Sequence, residues 1–317
     1  MDRTIRIGTR ESQLAVWQAT QVQQLLTSSG YSSELVFIKS EGDIDLKTPL
    51  YEMGVQGIFT RSLDIALLNN RIDIAVHSMK DVPTQLPEGI IQSAVLKRAS
   101  YKDLLVLSQK SKVKIQKEEG RTQLSPDNPQ LTIATSSIRR KAQWLNRYPN
   151  HTIENLRGNV NTRLKKVEES NWYGAIFAAA GLERIGLRPE NSIDLDWMLP
   201  APAQGAIVVV CREDDTDSLK ACANFNDETT ALCTKIERDF LRILLGGCST
   251  PISALAEVNN SEIHFRGNIL SLDGKEKVEV EKRIDIEKAT GLGKIAAEEL
   301  LNNGGKKIAD SIRDAGK

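Results

Sequence analysis

A lysine and an aspartate stand side by side in the segment AVHSMKDVP, residues 75–83. The apolar run at 72–76 predicts a buried strand, and Lys80 and Asp81 follow shortly after it. Ligands of open α/β sheets bind at the carboxyl ends of strands, so this pair could hold an anionic ligand and still present one negative charge to it. The other interpretation is that Asp81 caps the turn before Pro83 and Lys80 is solvated.

Arginine recurs where strand signals give way to helix signals. The junctions are TRES (9–12), TSSIRR (135–140), RGNVNTR (157–163) and GLER (181–184). Helix N-termini attract anions, and guanidinium forks match carboxylates. One such junction usually indicates a capped helix with a surface arginine, but several at the same edge of two sheets predict a cleft for a ligand with many negative groups. No P-loop is present and no GxGxxG follows the first strand, so a multiply carboxylated organic ligand fits better than a nucleotide.

Cys248 differs from the other cysteines because it lies in the loop LGGCSTP, residues 245–251. Two glycines let the backbone approach another surface closely, so this thiol could face a cleft. The other interpretation is an ordinary loop thiol after a glycine C-cap. We expect Cys211 and Cys233 in the core. The four cysteines form no CxxC pair and have no histidine in metal spacing, which argues against structural zinc and favours a reduced cytoplasmic protein.

The three histidines are weak candidates for catalysis or metal binding. We expect His77, at the end of a strand, to make a local hydrogen bond. His151 lies in a polar stretch that predicts exposure. His264 alternates along a strand of the C-terminal part.

The elements that must position these residues alternate between strand and helix. Strands are predicted at 5–7, 35–38 and 72–76, with a helix from about Ser12 and another through 59–67, which implies βαβ units and a parallel sheet. The pattern restarts with strands at 104–107, 131–134, 152–156 and 175–179, and with helices from 136 or 137, from about 161 and near 182. The polar stretch 110–130 indicates a surface excursion.

The pattern changes towards the C-terminus. A strand is predicted at 207–210, and the acidic run 213–217 indicates a linker. Helical signals then continue to 245, strands follow at 252–258, 263–269 and 277–284, and helices follow from about 289. This order is typical of a smaller α+β domain.

Length and charge restrict the classes of function. A chain of 317 residues predicts two or three domains. The 42 basic and 42 acidic residues give zero net charge, so no global field favours nucleic acid or a membrane surface. The sequence MDRTIRIG has no apolar segment of a secretory signal, and the apolar run 206–211 is too short to span a bilayer. We therefore expect a cytoplasmic protein with no nucleic-acid or membrane partner.

These segments together resemble the porphobilinogen deaminase, or hydroxymethylbilane synthase, family nearly end to end. The family's motifs occur in its order as IGTRES (7–12), AVHSMKDVP (75–83), TSSIRR (135–140), LRGNVNTRL (156–164), AAAGLERIGL (178–187), PAPAQGA (200–206) and GGCSTPI (246–252). The resemblance implies two α/β domains like the halves of a periplasmic binding protein around a cleft, and a smaller C-terminal α+β domain. The implied boundaries are 1–99 with 199–217 for domain 1, 100–198 for domain 2 and 218–317 for domain 3.

The resemblance also implies the reaction. A transferase of tetrapyrrole and haem biosynthesis would deaminate four porphobilinogen molecules, join them head to tail on a covalently bound dipyrromethane, and release 1-hydroxymethylbilane. Each cycle expels ammonia and forms an electron-poor azafulvene, which a carboxylate at the pyrrole nitrogen stabilises. Asp81 matches the family's aspartate for this role. Every pyrrole unit carries an acetate and a propionate, which accounts for a cleft rich in arginine.

The site residues implied by the resemblance fall into two groups, and no metal is implied. The cofactor-binding residues are Cys248, which forms the thioether, and Lys80, Asp81, Thr135, Ser137, Arg139, Arg140, Gly158 and Arg163. The residues that match substrate and chain handling are Arg10, Ser12, Phe59, Arg157, Arg163, Arg184 and Gln204.

Some positions depart from the family's pattern. VGGKGLF in many members is MGVQGIF here, at 53–59, so that Gln56 replaces a lysine, and VGQG is PAQG at 202–205. The stretch 110–130 is longer than in familiar relatives.

We expect the charged, glycine-containing loop from about 40 to 57 to be a mobile lid, and the protein to be a monomer. The alternative function is a non-catalytic binder of a polycarboxylate ligand, of the periplasmic-binding-protein type.

Overall fold

The computed structural model describes residues 3–39, 60–109, 130–244 and 250–315, together with the backbone of two short strands at 116–118 and 121–123. The strands are β1 (Ile5–Thr9), β2 (Ser33–Phe37), β3 (Ile74–Ser78), β4 (Ile90–Val95), β5 (Asp103–Leu107), β6 (Gln116–Glu118), β7 (Arg121–Gln123), β8 (Thr132–Ala134), β9 (Thr152–Glu154), β10 (Gly174–Ala178), β11 (Ser192–Asp194), β12 (Ile207–Arg212), β13 (Ile252–Asn259), β14 (Glu262–Leu270) and β15 (Lys277–Asp285). The α-helices are α1 (Gln13–Ser28), α2 (Arg61–Leu68), α3 (Ile138–Arg147), α4 (Val160–Glu169), α5 (Ala179–Glu183), α6 (Thr216–Ala223), α7 (Glu228–Ile243), α8 (Leu292–Leu300) and α9 (Lys306–Ala315).

The first sheet has the strand order β2-β1-β3-β12-β4. Strands β1, β2 and β3 are parallel, as the sequence predicts, but β12 runs antiparallel to both β3 and β4. The predicted parallel arrangement of the first three strands is confirmed, and no direction for β12 follows from the sequence. An apolar run such as 207–210 is typical of a buried strand of either direction, and the returning chain inserts it between β3 and β4.

Helix α1 shows why this unit folds as it does. Ser12 is its N-cap, and the Ser12 hydroxyl accepts a hydrogen bond from Ala15 N at 3.4 Å. Ala19, Val22 and Leu26 lie one helical turn apart, are fully buried and pack against the sheet. This burial fixes the carboxyl end of β1 and the start of α1 at one edge of the sheet.

The second sheet has the order β11-β5-β10-β8-β9. Strands β8, β9 and β10 are parallel, whereas β5 is antiparallel to β10 and to β11. Both faces are covered. Trp144 of α3 packs on the side of Leu105 and Ile133, and Leu182 packs on the side of Phe177.

The third sheet, β13-β14-β15, is antiparallel and packs against α7 and α8. Phe240 of α7 meets Phe265 of β14 edge to face, with ring centroids 5.2 Å apart. Gly267 is required beside this ring, because a Cβ there would lie 2.6 Å from Phe240 Cζ. The remaining described strands, β6 and β7, form a two-stranded ribbon within the predicted surface excursion. The three larger sheets confirm the fold class of two α/β units and a smaller α+β unit.

Two crossover segments connect the first and second sheets. They run side by side, and Ala99 N donates to Gly205 O at 3.1 Å. Gly205 has a φ of +89°, and a Cβ on it would lie 2.7 Å from Ser100 O. The crossovers therefore touch backbone to backbone. The domain boundaries inferred from the resemblance remain a prediction.

Within the acidic run at 213–217, Asp215 belongs to the packed structure while the other four residues are exposed, so the interpretation of the whole run as a linker is wrong. Asp215 is buried, caps α6 by accepting from Ser218 N at 3.1 Å, and pairs with Arg212 at 2.8 Å. A helix N-cap and a solvated linker share the same polar residue types, which is why the run misled. Across the described ranges, no helix combines the length and the apolar character needed to cross a membrane.

Candidate active site

The pair Lys80 and Asp81 lies in a 3-10 turn, Met79–Asp81, directly after β3. The turn is closed by Val82 N, which donates to Met79 O at 3.2 Å. Met79 and Val82 point into the core and are buried, whereas Lys80 and Asp81 are partly exposed. The turn therefore presents a cation and a carboxylate at the carboxyl end of β3, where the sequence predicts them.

Gln204 connects Lys80 to the second unit. Lys80 Nζ donates to Gln204 Oε1 at 3.4 Å. The amide nitrogen of Gln204 donates to Asp103 Oδ1 at 2.9 Å and to Tyr101 O at 2.7 Å. Because Gln204 is almost fully buried, this bridge between the crossover segments is shielded from water.

Asp103 is the shared counter-charge of the two arginines at the start of α3. Arg140 donates to Asp103 Oδ1 from Nε at 3.1 Å and from a terminal nitrogen at 2.7 Å, and Arg139 approaches Oδ2 at 2.8 Å. Burial alone would raise the pKa of Asp103, but the charges of Arg139 and Arg140 outweigh it and lower the pKa to about 2. Asp103 was not among the residues predicted from the sequence. Its only signal is an acidic residue at the start of the apolar strand 104–107.

The start of α3 has the capping expected from its sequence. Ser137 is the N-cap and accepts from Arg140 N at 3.4 Å. Thr135 is buried, and its hydroxyl accepts from Ser137 N at 3.2 Å. These bonds place Arg139 and Arg140 in the first turn, facing the second sheet rather than solvent.

The start of α4 is built in the same way. Asn159 is the N-cap and accepts from Thr162 N at 3.0 Å. Gly158 has a φ of +115°, and a Cβ there would lie 2.8 Å from Thr162 Cγ2, so only glycine fits this turn. The turn directs Arg163 towards Asp81 and Arg140.

Arg163 is the least neutralised arginine of the cluster. Its guanidinium makes no hydrogen bond or ion pair within the described part of the chain, and its Nε is buried without a partner. Burial and the charges of Arg140 and Arg157 lower the pKa of Arg163 to about 10, while Asp81 partly offsets them. This buried donor is available to an anionic ligand.

Lys80 shares this environment. Burial lowers the pKa of Lys80 to about 8, and neighbouring Asp81 and Asp103 offset only part of that effect. Cations outnumber carboxylates in this cluster, which consists of Lys80, Arg139, Arg140, Arg157, Arg163, Asp81 and Asp103. The excess matches the local anion site predicted for a chain of zero net charge.

Two more of the predicted substrate residues, Arg184 and Arg10, lie near the crossover segment and the turn that carry this cluster. Arg184 donates to Gly205 O at 2.6 Å, and its guanidinium carbon lies 5.7 Å from the centroid of the Trp17 ring. Burial lowers the pKa of Arg184 to about 10. Arg10 lies close to His77, three residues before Lys80. Arg184 thus reaches from the second unit to helix α1 of the first.

Several predicted features lie outside the described residues. These are Phe59, Gln56, the loop from about 40 to 57, and Cys248. The cysteines within the described ranges, Cys211, Cys222 and Cys233, are buried, and burial raises their pKa values to between about 11 and about 12. These three thiols are therefore core residues, as expected for Cys211 and Cys233.

His151 departs from expectation, whereas His264 lies on strand β14, as predicted. His151 is buried rather than exposed, because its Nδ1 accepts from Trp144 Nε1 at 3.1 Å inside an aromatic cluster. Nε2 of His77 is buried and has no hydrogen-bond partner, so this atom does not make the local hydrogen bond expected for His77. Burial lowers the pKa of His77 to about 4, and nearby Arg10 adds to the effect. No cluster of potential metal ligands occurs in the ranges that the structure describes.

Comparison with known proteins identifies the family of this chain. A family model for the dipyrromethane cofactor-binding domain of porphobilinogen deaminase matches residues 5–220, and the model for the C-terminal domain of porphobilinogen deaminase matches residues 231–302. The chain belongs to the porphobilinogen deaminase family. The enzyme of Desulforamulus reducens is 39% identical over 99% of both chains, and that of Syntrophomonas wolfei is 40% identical over 98% of this chain and 99% of its own.

Among solved structures, a methionine-binding protein matches 72% of this chain and 92% of its own with a TM-score of 0.42 and 15% identity. Family membership confirms the prediction of a porphobilinogen-deaminase enzyme that uses dipyrromethane. The alternative, a non-catalytic binder, is not supported.

Proposed function

We propose that Asp81 is the catalytic carboxylate of this porphobilinogen deaminase and that the surrounding cations hold the carboxylates of primer and substrate. The observation that carries the proposal is Arg163, a partly buried arginine whose Nε is buried without a partner and whose charge interacts with that of Asp81. The turn that follows β3 adds Lys80 to the same cluster. A polycarboxylate would supply the acceptor that Arg163 Nε lacks, and Lys80 would add a second cation to its binding.

The donors present fit a dipyrromethane. Acetate and propionate groups match a guanidinium fork and an ammonium, which Arg163 and Lys80 offer. The residues that would hold the group are Lys80, Asp81, Thr135, Ser137, Arg139, Arg140, Gly158 and Arg163, with Cys248 forming the thioether. The bound group supplies a covalent primer with a pyrrole carbon to which the first substrate unit is joined.

Arg139 and Arg140 have a different task from Arg163. Asp103 accepts from Nε and a terminal nitrogen of Arg140 and lies 2.8 Å from a terminal nitrogen of Arg139, so both arginines are oriented before any ligand arrives. Nε of Arg139 remains without a partner, which leaves one donor for a ligand carboxylate. Preorganised donors of this kind need no rearrangement when the ligand binds.

Asp81 acts on the substrate. As ammonia leaves porphobilinogen, positive charge spreads onto the pyrrole nitrogen, and a carboxylate fixed beside that nitrogen stabilises the charge. The same carboxylate can accept and return the proton at the ring carbon during coupling. The rigid turn after β3 keeps Asp81 at one place for every cycle.

The incoming substrate and the growing chain would contact Arg10, Ser12, Phe59, Arg157, Arg184 and Gln204. Gly205 O and the Trp17 ring hold the Arg184 side chain in a fixed direction. With the proposed domains, Asp81 comes from domain 1 (1–99 and 199–217), the α3 and α4 arginines from domain 2 (100–198), and the primer from domain 3 (218–317). We propose that the enzyme works as a monomer in the cytoplasm.

Asp81→Asn tests the catalytic assignment, and Glu88→Gln, an exposed carboxylate of the same loop region, is its control. Both variants are loaded with preformed 1-hydroxymethylbilane, and the intact mass and the Cys248 peptide are checked. We expect ammonia release from porphobilinogen to fall at least about 100-fold in Asp81→Asn and to stay at wild-type level in the control. Near-normal turnover of loaded Asp81→Asn would contradict the role of Asp81. An unmodified Cys248 in active enzyme would contradict the thioether.

A further inference from the structure

A side chain of the C-terminal part holds the turn that carries Asp81. Arg238 of α7 donates from one terminal nitrogen to Met79 O at 3.2 Å and to Val82 O at 2.9 Å, and from the other to Pro83 O at 2.5 Å. These carbonyls lie on both sides of Asp81. A single guanidinium therefore spans the turn.

Arg238 donates to the Val82 and Pro83 carbonyls, which follow the turn, and adds a second donor to Met79 O, which already accepts from Val82 N. The last carbonyls of a helical turn have no intrahelical donor, and a cation placed there is favourable. The beginning of the turn is held separately, since Met79 N donates to Ala206 O at 3.0 Å. Arg238 thus fixes the end of the turn, and the crossover segment fixes its start.

Helix α7 is itself anchored at the preceding residue. Glu237 is fully buried and pairs with Arg98 at 2.6 Å. Its carboxylate also accepts from Ala203 N at 2.6 Å and from Ala256 N at 2.8 Å. These bonds join α7 to a crossover segment and to β13, so Arg238 extends from a rigid support.

The same helix leads to the proposed primer attachment. Helix α7 ends at Ile243, and Cys248 is ten residues after Arg238 in the sequence. We propose that Arg238 is a positioning residue, which sets the place of the Asp81 carboxylate relative to the chain anchored at Cys248. This inference rests on the proposed function of Asp81 and Cys248.

The proposal predicts a particular kinetic effect. Arg238 contacts the backbone of the turn, so its loss should displace Asp81 without removing a cation assigned to ligand carboxylates. A displacement of about 1 Å at a catalytic group can lower the rate by about 100-fold. We therefore expect kcat to fall and KM to change little.

The test compares Arg238→Met and Arg238→Lys with Arg242→Met. Arg242 lies one turn further along α7, is half exposed and pairs only with Asp239 among the described residues, so it is a matched control. All proteins are loaded as holoenzyme and quantified by intact mass. For Arg238→Met we expect kcat per holoenzyme to fall about 10- to 100-fold with KM within about threefold, Arg238→Lys to be intermediate, and Arg242→Met to match wild type.

A structural role alone would lower the melting temperature and the loaded fraction but leave kcat per holoenzyme unchanged, and that result overturns the proposal. A raised KM with unchanged kcat also overturns it. If Arg238→Met yields no holoenzyme, kcat per holoenzyme and KM are measured on Arg238→Lys, and the same two outcomes then support or overturn the proposal.

Asp81→Asn is measured in parallel to separate the two proposals. An inactive Asp81→Asn with a wild-type kcat for Arg238→Met rejects the positioning role alone. An active Asp81→Asn rejects the catalytic assignment on which that role rests.

Discussion

Replacing Asp103 with asparagine should destabilise the protein, because it removes the shared counter-charge of two buried arginines. The Asp103 side chain is fully buried, and those of Arg139 and Arg140 are nearly so. Asparagine keeps Oδ1 as an acceptor for Arg140 and Gln204. However, asparagine replaces Oδ2, which lies 2.8 Å from the Arg139 guanidinium, with an amide NH₂ group. Two hydrogen-bond donors would then face each other at this contact.

Removing one partner of a buried ion pair typically costs about 3–5 kcal/mol. Because the Oδ1 acceptor is retained, we take the lower end, about 3 kcal/mol. A loss of 1 kcal/mol lowers Tm by about 2–4 °C for domains of 150–250 residues, so Asp103→Asn should melt about 6–12 °C below wild type.

The assay is a thermal melt at pH 7.5, with Asp194→Asn as the control. Asp194 also accepts from two cations, Lys102 at 3.2 Å and Arg188 at 2.7 Å, but all three side chains are about one-third exposed. Exposed ion pairs contribute about 0–1 kcal/mol, so the control should lose less than about 4 °C.

The pH dependence provides a second check. The folded pKa of Asp103 is lowered from 3.8 to about 2, so its contribution is fully present above pH 4 and is lost as the pH falls towards 2. The difference in Tm between wild type and Asp103→Asn should stay constant from about pH 8 to 5 and narrow below about pH 4. Equal Tm values for Asp103→Asn and Asp194→Asn at pH 7.5 would contradict this reasoning. A Tm difference between wild type and Asp103→Asn that increases as the pH is lowered would also contradict it.

Two further predictions concern packing and pH. Gly274 and Gly291 have similar positive φ angles, +76° and +77°, but a Cβ on Gly274 would lie 2.5 Å from Ala142 O, whereas Gly291 has open space. Gly291→Ala should therefore cost about 1 kcal/mol and Gly274→Ala at least about 2 kcal/mol more, measured by urea unfolding; equal losses would show that the close contact is unimportant. Because the pKa of Lys80 in the unloaded protein is lowered to about 8, its charge is lost as the pH rises through 8, so loading of the apoenzyme with preformed 1-hydroxymethylbilane should slow several-fold from about pH 7.5 to 9.5. Loading of Lys80→Gln should lack this pH dependence, and parallel profiles would exclude Lys80 as its source.

The site illustrates how far local patterns lead. The N-caps of α1 and α3 fall at the positions indicated by the sequence, because capping involves residues only three positions apart. Lys80 and Asp81 lie directly after β3, since an apolar run followed by polar residues and proline ends a strand. These motifs, taken in order, were also sufficient to identify the family.

Contacts between distant segments were not accessible in this way. Asp103 is 37 residues from Arg140, and Arg238 is more than 150 residues from the carbonyls that it holds. The antiparallel insertion of β12 and the burial of His151 likewise depend on which elements pack together.

The sequence by itself therefore determined the elements, their caps, the family and the chemical types at the site, because periodicity and capping act over one or two helical turns. Only the tertiary structure decided which of the arginines are already neutralised, by Asp103, and which, like Arg163, keep a buried donor without a partner. The physical reason is that burial and pairing are properties of the packed interior. The same residue type is a solvated surface arginine, a structural ion pair or a ligand-binding group according to what surrounds it.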